Sequence, residues 1–420
     1  MGPSEHRERA ILVGQVTHLQ SRWQVNEYLD ELELLADTAG AQVLERVVQE
    51  KSRMDPAFLI GRGKVSELAQ MAKYLDADLI IFDDDLSPAQ VKNIEGVVGI
   101  KIIDRSGLIL DIFAKHARTK EARTQVELAQ LRYLLPRLTR QWSHLSRQVG
   151  GIGVRGPGET QLEIDRRLIR KRIAVLEKEL SKIVQQRDNR RKRRKNVFKV
   201  ALIGYTNVGK STLLNAMTDS QVLVENQLFA TLDPTVRAMD LSEHEKILLI
   251  DTVGFIRKLP HHLVASFKST LEEASEADLL LHIIDIAHPA FDDQIKTVQG
   301  VLEELNIDKI PLLYVFNKID SLQDSSLMSF LKEKWDPCVF VSAQKGIFIQ
   351  ELLHKVQSFY NSKFETLNLT LPIQRADLVS QLHNWGEVLS IEYQESQALV
   401  QMKAQAQRVD QIKRLTQELE

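Results

Sequence analysis

Residues 200–215 constrain the fold more than any other part of the chain. Val200-Ala201-Leu202-Ile203 is a continuous apolar run of the kind that forms a buried strand. Gly204-Tyr205-Thr206-Asn207-Val208-Gly209-Lys210-Ser211 follows, and Thr212-Leu213-Leu214-Asn215 continues as a helix. A strand, a glycine-bounded loop and a helix in immediate succession demand a parallel sheet with helices packed against it. The glycines let the loop curl so that its N–H groups face one point, and the helix N-terminus adds the positive end of its dipole. A phosphate chain suits such a point. Lys210 is placed to bridge β- and γ-phosphates and Ser211 to ligate Mg2+.

Four further motifs follow along the chain. Asp251-Thr252-Val253-Gly254 closes a second buried run, residues 247–250. Asp251 is expected to hold Mg2+ through water, and the Gly254 N–H to meet the γ-phosphate. Between these motifs lies Phe229-Ala230-Thr231-Leu232-Asp233-Pro234-Thr235. A threonine there completes the metal shell only when the γ-phosphate is present; Thr231 is the choice and Thr235 its competitor. Asn317-Lys318-Ile319-Asp320 follows the apolar run 312–316. The Asp320 carboxylate can accept from N1–H and the 2-amino group of guanine. Adenine has neither donor, so against adenine the carboxylate would be desolvated and unpaired. Asn317 is expected to tie this loop to the phosphate loop or to the base edge. Ser342-Ala343-Gln344, after the apolar run 339–341, fits a loop whose Ala343 N–H contacts guanine O6.

Together these motifs imply binding of GTP or GDP with Mg2+, and GTP hydrolysis with Lys210, Asn207, Thr231 and Gly254 as catalytic residues. Two details qualify the chemistry. Phe255 follows Gly254, where Ras-like enzymes carry a glutamine that orients the attacking water. An aromatic ring cannot do that, so intrinsic hydrolysis is expected to be slow or to use another device. Asn207 could also help bind K+ beside the phosphates; the competing reading is a hydrogen bond across its own loop.

The charge distribution points to a partner. Between Arg118 and Lys195 stand 22 Lys and Arg against 8 Asp and Glu, in a chain of net charge −2. A basic block in a near-neutral chain suits a polyanion; the plain alternative is a solvated charged helix pair. Cys338 is the sole cysteine, so an intramolecular disulfide is excluded, as is any zinc site needing several thiolates. No apolar run approaches the roughly 18 residues of a membrane span, and the first residues carry no signal-peptide core.

The chain divides into four segments: 1–117, 118–195, 196–362 and 363–420. In the first, short apolar runs at residues 10–13, 43–48, 58–60, 78–82 and 100–103 alternate with helical patterns at 23–39, 65–74 and 88–95. That alternation predicts an α/β unit with a largely parallel sheet. Gly61-Arg62-Gly63-Lys64 reads as a tight turn, with a phosphate cradle as the alternative.

In the second segment, Leu128, Leu131, Leu135, Leu138, Trp142 and Leu145 form one heptad seam. Ile169, Ile173, Leu176, Leu180 and Ile183 form another. Gly150-Gly151-Ile152-Gly153-Val154-Arg155-Gly156-Pro157-Gly158 separates them, and Thr160 with Glu163 gives a capping-box signal. The expected structure is an antiparallel helical hairpin with a glycine-rich tip, kinked or split at Pro136. Arg190 to Lys195 is a basic run leading into the nucleotide-binding segment. The last segment mixes strand-like runs at 367–371, 388–393 and 399–402 with helical ones, a small α+β unit.

The nucleotide motifs, the segment Phe229 to Thr235, the tip Gly150 to Thr160 and the run Asp104 to Phe113 together resemble the HflX family of translational GTPases, over almost the whole chain. The tip is the most specific of these. The resemblance implies an α/β P-loop GTPase domain preceded by an α/β domain and a helical hairpin. It implies a cytoplasmic factor, with peripheral membrane association left open, that binds the large ribosomal subunit and its rRNA and splits stalled or idle ribosomes under stress. Arg147 and Arg155 are the expected tip contacts. DNA is not an expected partner, and a monomer is expected. The competing functional readings are a nucleotide-gated RNA remodeler and a signalling scaffold whose hairpin binds protein.

Overall fold

The structure, a computed structural model, describes residues 7–412 except 19, 52, 141–156, 192–196, 219–227, 230–234, 243–244, 259–273, 323–325, 373–381, 384, 395, 406–408 and 410–411. The first unit runs β1 (Glu8–Val16), α1 (Arg22–Ala39), β2 (Ala41–Glu50), α2 (Arg62–Leu75), β3 (Leu79–Phe82), α3 (Pro88–Val98), β4 (Lys101–Asp104) and α4 (Arg105–His116). Its four strands are all parallel, in the order β2-β1-β3-β4. Side chains alternate across the sheet as the pleat requires. Ala10 and Leu12 pack with α1 and α4, while Ile11 and Val13 pack with α2 and α3. Ser21 and Gln24 form a capping box that starts α1, and Gly40 ends it in the left-handed conformation.

Two expectations for this unit need correction. Residues 58–60 are not a strand. The Asp55 carboxylate accepts from the N–H groups of Ala57 and Phe58, curling the chain, and Leu59 has φ 66. A local side-chain hydrogen bond has outcompeted the sheet. Gly61-Arg62-Gly63-Lys64 is the start of α2: Gly61 is its N-cap residue, and the Gly61 N–H is taken by Gln49 Oε1 at 2.7 Å.

Next come α5 (Lys120–Leu134), a short 3-10 turn (Arg137–Arg140) and α6 (Pro157–Arg191). Pro136 splits rather than kinks the first helix. Leu176 is buried, and Ile169, Ile173, Leu180 and Ile183 are half-buried on the same stripe of α6, so the second heptad seam faces a partner as its spacing requires. Arg132–Glu177 and Arg172–Glu127, each at 2.7 Å, tie α5 to α6. Both pairs are exposed, so each contributes at most about 1 kcal/mol. Helix α6 begins at Pro157, three residues before Thr160, so the Thr160–Glu163 capping box does not start it. Proline is tolerated at a first helical position because its missing N–H has no partner there anyway. Trp142, Leu145, Arg147, Arg155 and the tip residues 150–156 lie outside the described residues, as does the basic run 192–195.

The third unit comprises β5 (Phe198–Gly204), α7 (Lys210–Thr218), β6 (Thr235–Ser242), β7 (Glu245–Asp251), β8 (Leu279–Asp285), α8 (Phe291–Glu304), β9 (Leu312–Asn317), α9 (Ser326–Lys334), β10 (Cys338–Phe340) and α10 (Ile349–Lys363). Its sheet order is β10-β9-β8-β5-β7-β6, parallel except for the β6–β7 pair at one edge. Strand β5 is central, and Val200, Ala201, Leu202 and Ile203 are fully buried. The last unit is an antiparallel sheet ordered β11-β13-β12, from β11 (Phe364–Pro372), β12 (Gly386–Tyr393) and β13 (Gln397–Gln405). Lys403 joins it to the third unit through Glu245 and the face of the Tyr360 ring. Among the described residues no helix is long and apolar enough to cross a membrane.

Candidate nucleotide site

The site forms at the carboxyl ends of β5, β7 and β9. Gly204 ends β5 with φ 150, and a side chain there would overlap the Ile283 carbonyl oxygen. The loop then turns through Asn207, at φ 60, into α7. Lys210, on the first turn of α7, is 7% exposed, and its Nζ donates to the Tyr205 carbonyl at 2.7 Å and the Gly204 carbonyl at 3.2 Å. Burial pulls its pKa down to about 8, against the pull of nearby Asp251. Added phosphate charge favours the protonated form, so this lysine is poised to gain charge stabilisation from an anion.

Ser211 Oγ donates to Asp251 Oδ2 at 2.7 Å. The two expected metal ligands from separate motifs are thus within hydrogen-bond distance, and a hydroxyl beside a carboxylate is a donor set that suits Mg2+. Thr252 is fully buried, and its hydroxyl donates to the Leu202 carbonyl at 2.7 Å, locking β7 onto β5. Its side chain does not face the site. Gly254 passes over the phosphate loop so closely that a methyl group there would lie 2.9 Å from Thr206 Cα and 3.0 Å from Lys210 Nζ. Backbone bonds fix this approach: Thr206 N–H donates to the Phe255 carbonyl at 2.8 Å, and Phe255 N–H to the Gly204 carbonyl at 3.0 Å.

The side expected to recognise the base assembles around Asn317, which is 2% exposed. Its amide Nδ2 donates to the Val208 carbonyl at 2.8 Å, and its Oδ1 accepts from Ala343 N–H at 2.9 Å. One side chain therefore joins the phosphate loop to the loop at 342–344. The Ala343 N–H, expected to face guanine O6, points in this structure to Asn317 instead. Lys318 Nζ reaches the Asn207 carbonyl at 3.0 Å and Asp285 Oδ2 at 2.6 Å. Hydrogen bonding from Ser342 holds the Asp320 carboxyl below the usual carboxylate range, so it is an acceptor at neutral pH. Ile319 packs beneath the loop, while Gln344 is exposed.

Some expected site residues stand elsewhere. Ala230, Thr231, Leu232 and Asp233 lie outside the described residues. Phe229 is 3% exposed at φ 58, and its ring meets Phe113 of α4 edge-on at 4.6 Å, so that side chain anchors the first unit rather than a nucleotide. Tyr205 sends its hydroxyl away from the loop to Glu31 of α1 at 2.5 Å. Sequence reasoning missed this contact and the charged cluster around it: Glu31, Asp83, Arg105, Arg257 and Lys258. The available signals were the acidic run Asp83-Asp84-Asp85 ending a strand and the Arg257-Lys258 pair just past Gly254. A cavity of about 430 Å3 lies between α1 and the phosphate loop, bordered by Trp23, Tyr28, Thr206, Asn207 and Asp285.

Comparison with known proteins identifies this arrangement. Models described as GTP-binding GTPase N-terminal, GTP-binding GTPase Middle Region and 50S ribosome-binding GTPase match residues 26–114, 116–194 and 199–318. The GTPase HflX of Caldanaerobacter subterraneus is 45% identical over 391 residues, spanning 93% of this chain and 89% of that protein. GTPase HflX of Escherichia coli K12 is 44% identical over 387 residues, 91% of each chain. The solved structure of a GTP-binding protein from Sulfolobus solfataricus in complex with GDP is 27% identical, covers 84% of this chain and 98% of that one, and has a TM-score of 0.44. With the motifs 204–211, 251–254 and 317–320 gathered at the carboxyl ends of one sheet, and with relatives matched over nine-tenths of its length, the chain belongs to the HflX family of GTPases.

Proposed function

We propose that this GTPase acts on the large ribosomal subunit, binding its rRNA through α5 and α6 and splitting stalled or idle ribosomes. The observation that carries the reading is a basic helix pair attached to a unit that touches the phosphate loop. On α6, Arg167, Arg170, Lys171, Lys178 and Lys182 are exposed. Such a surface suits the phosphate backbone of RNA and makes binding steeply salt-dependent. The description of the matching nucleotide-domain model as a 50S ribosome-binding GTPase supports the same partner. GTP sets the binding conformation, and hydrolysis releases the factor.

At the nucleotide, Ser211 and Asp251 would hold Mg2+, whose charge would offset the phosphates; Thr231 would complete the shell. Lys210 neutralises the phosphate chain and Gly254 N–H senses its end. Asp320 selects guanine. Asn207, with its side chain exposed and its main-chain carbonyl engaged by Lys318, would offer its side-chain oxygen to K+; equal hydrolysis rates in K+ and Na+ would remove that part. Co-sedimentation with ribosomal subunits tests the whole reading. The expected result is comigration with the large subunit when a non-hydrolysable GTP analogue is bound. Comigration that ignores the nucleotide, or none at all, overturns it.

A further inference from the structure

The residues just past Gly254 are gripped from two sides. Arg257 N–H donates to Tyr205 Oη at 2.8 Å, and Tyr205 donates onward to Glu31. The Arg257 carbonyl accepts from Arg105 Nε at 3.2 Å. One peptide segment thus has its donor held by the phosphate loop and its acceptor held by the first unit. Arg105 is 1% exposed and also pairs with Glu31 and, at 2.8 Å, with Asp83. The Arg257 guanidinium lies 3.2 Å from the Tyr28 ring centroid and 3.3 Å from Asp83. Lys258, in the left-handed conformation at φ 53, reaches Asp83 at 2.8 Å and also Asp84. A non-glycine residue in that conformation is strained and persists only where its surroundings fix it. Three cations face three carboxylates here.

We propose that this clamp couples docking of the first unit to recognition of the γ-phosphate, with Glu31 and Arg105 as positioning residues for the loop that carries Gly254. The inference rests on reading Gly254 as the γ-phosphate contact. A triphosphate needs Gly254 held beside Lys210; a diphosphate makes no demand on that loop. The clamp holds residues 255–258 where Gly254 lies against Lys210, so it stabilises the triphosphate state selectively. Linkage is reciprocal: a triphosphate must then tighten the docking of α1 by the same factor.

The test is binding of fluorescent GDP and of a fluorescent non-hydrolysable GTP analogue to the full chain. Glu31→Ala removes the acceptor of Tyr205 and one partner of Arg105. Its expected effect is about a tenfold loss for the GTP analogue with GDP affinity unchanged within about twofold, in the usual range of coupling between sites. Tyr205→Phe, which deletes one hydroxyl, shifts the ratio of the two affinities in the same direction and serves if Glu31→Ala does not fold. Amide exchange across residues 22–39 is expected to be slower with the analogue than with GDP. Equal losses for both nucleotides, or an unchanged ratio in both variants, overturn the proposal. Gly254→Ala separates the two layers of the argument. An unchanged ratio there refutes the γ-phosphate reading itself, whereas a shift there without one at Glu31 refutes the clamp alone.

Discussion

The first unit carries a parallel sheet and the third a largely parallel one, yet their carboxyl edges do opposite work. Past β5 the chain offers a glycine turn, a helix N-terminus and the ammonium of Lys210. Past β3 and β4 it offers Asp83, Asp84, Asp85 and Asp104. The architecture places a crevice at both edges. Charge decides what enters it. The cationic edge suits phosphate; the acidic edge repels phosphate and is occupied by Arg257 and Lys258 of the neighbouring unit. Asp104 is satisfied internally, by Tyr133 at 2.6 Å and Arg137 at 2.7 Å. The same fold thus serves once as a ligand site and once as a socket for another part of the chain.

The sharpest way to break this comparison is to remove the socket's own cation. Arg105→Met leaves the buried Asp83 and the half-buried Glu31 with fewer cations, and stability measured by denaturant unfolding is expected to fall by about 3–5 kcal/mol. A fall below about 1 kcal/mol would mean the cluster is solvated and holds nothing. At the other edge, Lys210→Ala is expected to weaken GTP binding at least about 100-fold, since a buried charge-assisted contact to phosphate is lost. Titration calorimetry reads this directly; near-wild-type affinity would refute the cradle. Asp320→Asn, which exchanges an acceptor for a donor, is expected to cost GTP about 100-fold and to favour xanthosine triphosphate. Retained guanine preference would place base recognition elsewhere.

Acid and base probe the two edges separately. Burial alone would raise the Asp83 carboxyl, but Arg105, Lys258 and Arg257 outweigh it and hold it down at about 2. A lowered carboxylate stabilises fully above its ordinary pKa and loses that contribution as pH falls toward the folded value. Amide exchange at residues 254–258 is therefore expected to quicken between about pH 4 and pH 2. At the phosphate edge, Lys210 loses its proton near pH 8 when no phosphate is bound. Nucleotide binding above that pH must take up a proton, so affinity is expected to fall about tenfold per pH unit, and Lys210→Arg to flatten the profile. A profile already flat in the unaltered protein would mean that Lys210 is charged throughout.

Much of this was legible in the residues themselves. The alternation of apolar runs and helical patterns led to the parallel sheet of the first unit, and the stepping of Ile169, Ile173, Leu176, Leu180 and Ile183 led to the inward stripe of α6. The exceptions have local causes. Residues 58–60 looked strand-like because their apolar character is real, but Asp55 captured the backbone first. Helix α4 was hidden because nearly every side chain from Arg105 to Phe113 is buried, leaving no polar face to set a period. Phe229 stood in a nucleotide-like segment yet turned to Phe113, more than a hundred positions away.

The sequence alone determined what depends on neighbours along the chain: a glycine-bounded loop after a buried strand, a lysine on the first turn of the helix that follows, and a carboxylate just past a later strand. Those are short-range facts, written in spacing and residue type. Only the tertiary structure decided which distant charges meet. The acidic run at 83–85 and the basic pair at 257–258 are visible along the chain, but nothing local says that they meet, or that Glu31 and Arg105 join them. Their roles arise when two sheets bring one acidic and one basic edge together, where burial turns ordinary side chains into a matched set of charges.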